Sequence, residues 1–185
     1  MATSSVGGEK AGGVPRQRRQ GPPLLRVRDL AKSYGTTRAL RGVSFELRPG
    51  LVYGLIGVNG SGKSTLMKIL AGAEQASAGQ MTLDESPYRP RNVAHAGRLG
   101  IGMVPQELPI VPHVSVADNV FMGQWHTRFG VLRGHLSRAA ARDVLRDLGT
   151  ETDVKARVGD LKLGEQQLTV IARTLTRRPR VVLLD

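Results

Sequence analysis

Nine consecutive residues, Gly57, Val58, Asn59, Gly60, Ser61, Gly62, Lys63, Ser64 and Thr65, fit the pattern G-x-x-x-x-G-K-[ST]. A loop of this kind wraps phosphate groups. Its glycines let the backbone curl until successive N–H groups point inward at an anion. A helix opening at the loop adds unpaired N–H donors and roughly half a positive charge at its N-terminus. Lys63 is expected to reach the β- and γ-phosphates of a nucleotide, and Ser64 to put its hydroxyl on Mg²⁺.

The motif requires a strand before it and a helix after it. Residues 51–56 are short-run, apolar and partly β-branched, so they read as a buried strand. Residues 66–71 read as a helix that stops at Gly72. Further strands are expected at 24–30, where Leu25, Val27 and Asp29 alternate with Arg26 and Arg28, and at 43–47, 80–84 and 101–104. Residues 32–35 between the first two read as a loop, and Arg48-Pro49-Gly50 as a turn. Ser115, followed three residues later by Asp118, carries the capping-box pattern for a short helix to about Met122. Residues 123–134 read as a loop bearing Trp125 and Phe129. Ser137 is expected to cap a helix to Leu148 whose face is Ala141, Val144, Leu145 and Leu148. Gly164 opens a last helix with Leu168, Ile171, Ala172 and Leu175 on one face, and Arg177-Arg178-Pro179 breaks it. Residues 181–184 then read as a buried strand ending in the carboxylate of Asp185. Alternation of strands and helices around the phosphate loop predicts an α/β core with a parallel sheet.

Composition sets outer limits. The chain has 185 residues, enough for one domain with a core. It has no cysteine, which excludes disulfides and cysteine metal sites. Residues 1–23 are rich in Gly, Ser, Pro, Gln and Arg, contain no signal-peptide core, and are expected to be disordered. No stretch approaches the ~20 apolar residues of a membrane span. The expected location is therefore the cytosol, or a membrane reached only through a partner. A net charge of +12 raises nucleic acid or anionic lipid as partners, but it is spread along the chain, and aromatics make up only 4% of residues. Without an aromatic stacking platform, direct nucleic-acid binding is not expected. His95, His113, His126 and His135 lack metal-site spacing and read as structural or surface residues.

Five pieces stand in a fixed order: Tyr34, the phosphate loop, Gln106, the run Leu161-Lys162-Leu163-Gly164-Glu165-Gln166-Gln167, and 181–185. This order resembles the ATP-binding subunits of ABC transporters from about Leu24 onward. The segment 105–123 is similar to the monosaccharide importers of ribose, xylose and galactose type, whose ATPase chains usually carry two such domains. The resemblance implies a P-loop NTPase (RecA-like) α/β core at 24–185, a small antiparallel β subdomain and a helical insert at about 108–158. It also implies Mg²⁺ and ATP as cofactors, and ATP hydrolysis that energises sugar import through transmembrane permease subunits. The implied assembly includes a second ATPase domain, a sugar-binding protein reached indirectly, and a peripheral position on the cytoplasmic membrane face.

Residue by residue, Tyr34 resembles the aromatic that stacks on adenine. Gln106 resembles the glutamine that meets Mg²⁺ and the attacking water. Asp185 resembles the Walker B aspartate that holds Mg²⁺ through water. Residues 161–166 occupy the signature motif, most often Leu-Ser-Gly-Gly-Gln, which faces the nucleotide of the opposite domain. Two features depart from the pattern. Lys162 and Glu165 stand where the family has serine and glutamine, so a mobile point charge replaces a short hydroxyl donor. The family's catalytic glutamate also follows the aspartate, so the sequence reads as truncated after Asp185 and inactive alone. The altered signature leaves a non-hydrolysing nucleotide-binding regulatory module as the alternative. The charge leaves a soluble ABC-type protein acting on nucleic acid or ribosomes, which the 105–123 segment argues against.

Overall fold

A computed structural model describes residues 22–124, 127–128, 131–132 and 134–185. Residues 1–21, Trp125, His126 and Phe129, on which several expectations fall, lie outside the described residues.

Four strands, β1 (Leu25–Tyr34), β2 (Thr37–Leu47), β3 (Ala78–Leu83) and β4 (Ser86–Pro87), form an antiparallel sheet in the order β2-β1-β3-β4. Strand β1 runs four residues beyond the expected Leu30, because Lys32, Ser33 and Tyr34 pair with Leu40, Arg38 and Thr37 of β2 in a tight hairpin. The segment expected to be a loop is thus strand up to Gly35, and backbone pairing has overridden its polar composition. The alternation inside β1 also breaks. Leu25 and Val27 are buried, but a bulge lets Asp29 adopt φ 48° and turns Leu30 rather than Asp29 into the core. The hydroxyl of Ser44 accepts the Asp29 N–H at 2.8 Å and steadies the bulge.

Helix α1 (Lys63–Leu70) packs Leu66, Ile69 and Leu70 against this sheet. It ends where Gly72, at φ +74°, sends its N–H back to the carbonyl of Ile69. Helix α2 (Val93–Leu99) has no counterpart among the expected elements. Its signal is local: the Asn92 side chain accepts the His95 N–H at 2.9 Å, and Gly100 closes the other end. His95 itself accepts the Arg91 N–H through Nδ1 at 3.1 Å, a structural role.

Strands β5 (Ile101–Val104) and β8 (Val181–Leu184) are parallel and in register, Ile101 opposite Val181 through Val104 opposite Leu184. Among the described residues they are the whole of the parallel sheet. Residues 51–56, expected as a buried strand, carry no ladder, and Ile56 is 95% exposed. Only Leu183 of β8 is buried, and Leu184 is 67% exposed. Apolar composition signals a tendency to be covered, but a strand exists only where a neighbour supplies hydrogen bonds; β8 has that neighbour in β5, and 51–56 has none among the described residues.

A second core lies among α3 (Val116–Val120), α4 (Gly134–Asp147) and α5 (Leu163–Leu175). Ser115 caps α3 as expected, accepting the Asp118 N–H at 3.1 Å and donating to the Asp118 carboxylate at 2.6 Å. Two short strands, β6 (Thr127–Arg128) and β7 (Val131–Leu132), pair within the expected loop. Helix α4 starts at Gly134, so Ser137 is a buried helical residue rather than its cap. Its expected face holds: Ala141 and Leu145 are buried, with Val144 and Leu148 packed beside them. In α5 the buried residues are Thr169, Val170, Ala172 and Thr174. The threonines reach the interior because Thr169 and Thr174 donate to the carbonyls of Glu165 and Val170 in the preceding turn.

Tyr88, 1% exposed, donates its phenol to the Leu70 carbonyl at 2.6 Å, closing the end of α1. Burial raises the phenol pKa above its ordinary value. The folded state therefore holds the proton more tightly than the unfolded chain. This contribution is full below the ordinary phenol range and fades as pH rises through the raised value. Tyr88→Phe, which orphans that carbonyl, is expected to lower stability by about 1–3 kcal/mol at neutral pH. The gap between wild type and variant should narrow above about pH 10 in denaturant titrations. A pH-independent gap would contradict the assignment.

Candidate functional site

The loop preceding α1 is built around backbone, not side chains. Asn59 and Gly60 form its turn, and the Ser61 N–H reaches the Val58 carbonyl at 3.2 Å. A Cβ on Gly57 would stand 2.6 Å from Ser61 Oγ, so the loop closes on itself there. Gly62 is the N-cap at φ 90°, in the left-handed region. A Cβ on it would collide with the Ala39 carbonyl oxygen and lie 2.7 Å from Leu40 Cδ2 of β2. Having no side chain, Gly62 cannot cap, and the first helical bond is Leu66 N–H to the Gly62 carbonyl at 2.9 Å. Among the described residues no acceptor meets the N–H groups of Lys63, Ser64 and Thr65, and no acidic residue stands in the first turn. Lys63 folds over the loop, its Nζ donating to the carbonyls of Gly57 at 2.7 Å and Val58 at 2.9 Å. Open donors, a helix dipole and a movable ammonium group fit an anionic phosphate chain.

The β1–β2 hairpin touches this loop through Ala39 and Leu40 and carries Tyr34 at its tip, 45% exposed. Lys32 Nζ lies 4.8 Å from the Tyr34 ring centroid, bonds the Gln75 carbonyl at 2.8 Å and pairs with Glu74 at 2.9 Å. The Lys32 hydrogen bond holds the Glu74 carboxyl below its ordinary pKa; burial opposes this, while the charges of Lys32 and Lys68 and a hydrogen bond from Tyr34 assist it.

Gln106 and Asp185 leave the carboxyl ends of neighbouring parallel strands. Val104 pairs with Leu184, and the Asp185 N–H donates to the Val104 carbonyl at 3.2 Å. Both residues are exposed. Ile101 and Leu183 share one core cluster with Leu66, Ile69 and Leu70 of α1, so the loop, Gln106 and Asp185 are placed by a common core. Among the described residues, no hydrogen bond joins Ser64, Gln106 and Asp185 to one another.

Leu161, Lys162, Leu163, Gly164, Glu165 and Gln166 open α5 and belong with the helical core, not with the phosphate loop. Lys162 is the N-cap, and its side chain has no acceptor to offer. Glu165 supplies half of a capping box, accepting the Lys162 N–H through Oε2 at 3.2 Å. Its Oε1 accepts from Thr152 Oγ1 at 3.1 Å, and the Gln166 amide donates to the Leu161 carbonyl at 3.0 Å. The Glu165 carboxylate is thus turned back onto its own helix end and onto Thr152. Thr152 escaped the sequence reading because its role depends on a fold-brought neighbour thirteen residues away.

A family profile described as ABC transporter matches residues 40–185. A ribose import ATP-binding protein of Rubrobacter xylanophilus is 45% identical over 88% of this chain and 33% of its own length. An arabinose import ATP-binding protein of Pseudomonas savastanoi pv. phaseolicola is 40% identical over 87% of this chain and 32% of its own length. The chain spans about a third of the length of these curated relatives. Among solved structures, a nucleotide-free ATP-binding cassette superposes with TM-score 0.77 at 24% identity, covering 89% of this chain and 69% of its own. An ABC transporter component from Clostridium perfringens superposes with TM-score 0.75 at 27% identity, covering 88% and 65%.

The Glu165 cap gives a direct test. Glu165→Ala, which orphans the Lys162 N–H, is expected to cost about 1 kcal/mol in thermal or denaturant unfolding. Glu165→Gln, whose amide oxygen can still accept, should stay within about half of that. Equal losses in both variants would show that charge, not capping, is what Glu165 contributes.

Proposed function

The chain belongs to the ABC transporter family, and on that premise we propose that it is an ATP-binding and ATP-hydrolysing subunit that energises sugar import. The observation that carries this reading is the open N-terminus of α1 beneath Gly62, with Lys63 folded over the loop. The N–H groups of Gly60, Gly62, Lys63, Ser64 and Thr65 cradle the phosphates, and Ser61, its N–H on the Val58 carbonyl, holds the turn that presents them. Lys63 exchanges the carbonyls of Gly57 and Val58 for β- and γ-phosphate oxygens, a swap of neutral acceptors for charged ones. Asn59 and Gly57 shape the loop, and the half-exposed ring of Tyr34 stacks on the base. The hydroxyl of Ser64, the amide of Gln106 and the carboxylate of Asp185 are the groups that would hold Mg²⁺, which when bound neutralises phosphate charge. In the reaction a water oxygen bonds to the γ-phosphorus, the bond to the β-phosphate bridging oxygen breaks, and ADP and phosphate leave. Gln106 orients that water from the end of β5.

The domain proposed for this work spans 24–185, with a helical part at about 108–158 and a basic tail at 1–23. Its proposed partners are transmembrane permease subunits and a second ATPase domain, with a sugar-binding protein reached through the permease. A monosaccharide cargo is supported by the relatives' names. A peripheral place at the cytoplasmic membrane face accords with the described helices, none of which is long and apolar enough to cross a membrane. The segment Leu161 to Gln166 would meet the nucleotide of the second domain. There Lys162, not a serine hydroxyl, supplies the donor, and the helix dipole of α5 adds to it.

One titration separates the two halves of the ATP site. Lys63→Ala should abolish Mg·ATP binding in calorimetry, in a protein whose melting is unchanged. Tyr34→Ala should weaken binding by about 1–3 kcal/mol, whereas Tyr34→Trp should roughly preserve it. Unaltered affinity in folded Lys63→Ala would remove the phosphate loop from the site, and equal affinity in all Tyr34 variants would remove the stacking.

A further inference from the structure

The helical core holds a buried polar node that neither the phosphate loop nor the signature segment uses. Asn119 of α3 is fully buried. Its amide pairs with the backbone of Val111 in both directions, Oδ1 accepting the Val111 N–H at 2.9 Å and Nδ2 donating to the Val111 carbonyl at 3.0 Å. From α5, Arg173 closes the arrangement. Its Nε donates to the Asn119 carbonyl at 2.7 Å, Nη2 to Asn119 Oδ1 at 3.0 Å and Nη1 to the Pro109 carbonyl at 2.6 Å. One guanidinium therefore grips α3, α5 and the arm 109–111, which begins three residues after Gln106.

Arg173 is a poor choice for stability alone. Among the described residues no carboxylate pairs with it, and Arg177 stands one turn further along. Burial and then the Arg177 charge lower its guanidinium pKa, which marks the desolvation. An apolar side chain could pack α3 on α5 without that penalty. What the planar fork adds is geometry: its donors fit three oxygens in one arrangement only. Helix α5 is unbroken from Leu163 to Arg173, so a displacement of the arm passes along roughly 15 Å of rigid helix to the N-terminus beside Lys162.

We infer that Arg173 and Asn119 form a positioning latch that makes the Gln106 arm and the N-terminus of α5 move together when nucleotide binds. The latch rests on the ATP-driven reading above. Neither residue touches nucleotide; both act through the segments they hold.

The test uses the full-length protein assembled with its permease in liposomes, comparing wild type, Arg173→Lys, Arg173→Met and Asn119→Ala. Arg173→Lys keeps the charge and loses the fork, and is the variant that guards against mere misfolding. ATP affinity, ATP turnover, sugar moved per ATP, and amide exchange of 109–111 and 161–166 with and without Mg·ATP are measured together. Expected for Arg173→Lys is unchanged ATP affinity, at least about a fivefold fall in sugar moved per ATP, the low end of ordinary coupling, and loss of the nucleotide-dependent exchange change at 161–166. Arg173→Met and Asn119→Ala should do the same. Wild-type behaviour in Arg173→Lys overturns the latch, as does a parallel loss of ATP affinity, which would make the node merely structural. A wild-type complex that binds ATP but moves no sugar sinks the transport reading instead, and the exchange comparison then decides the latch alone.

Discussion

Everything at the candidate ATP site depends on the conformation of Gly62. At φ 90° the residue sits where a side chain is strained, and a Cβ would run into the Ala39 carbonyl of β2. The same contact that forbids a side chain seats the hairpin carrying Tyr34 against the start of α1. Because Gly62 brings no capping group, the first-turn N–H groups stay open to a ligand. An ordinary Ser or Asp cap would stabilise the helix and occupy one of those donors. Here a helix end is left unsatisfied, and the fold makes up the deficit by burying Leu66, Ile69 and Leu70.

Helix α5 is the wall between the two cores. Leu168 and Ala172 face the helical cluster, while Thr174 packs against β5, its Cγ2 2.6 Å from where a Cβ on Gly102 would stand. The strand that ends near Gln106 and the helix that opens at Lys162 are therefore in direct contact. Arg173 lies on the same helix and reaches the arm beyond Gln106. Arg180 binds both carboxylate oxygens of Asp84, tying the β3–β4 turn to the start of β8. That pair is exposed and contributes little energy.

Legibility in the sequence followed the range of the interaction. The Ser115 cap and the Ala141–Leu145 face are written in residues a few positions apart, and both stand in the structure as read. The bulge at Asp29 depends on Ser44 and on Gly79, where a Cβ would stand 2.5 Å from the Asp29 carbonyl oxygen across the sheet, so alternation within β1 could not foretell it. Residues 51–56 show composition misleading: apolar and β-branched, they have no ladder partner among the described residues. At the signature segment, the substitutions Lys162 and Glu165 were plain in the sequence. That Glu165 turns back to cap Lys162 and bind Thr152 became visible only with the fold. Asn119 and Arg173 likewise became visible only with the fold, since their partners at 109–111 come from another segment.

The central claim is that open backbone donors at the head of α1 receive the phosphates. Amide nitrogen–proton spectra of the labelled protein during Mg·ATP titration address it directly, because each N–H reports its own acceptor. The expected result is that the largest shifts fall on Gly60, Gly62, Lys63, Ser64 and Thr65 and saturate with a single affinity. Saturable shifts elsewhere, with these five amides unmoved, would contradict it.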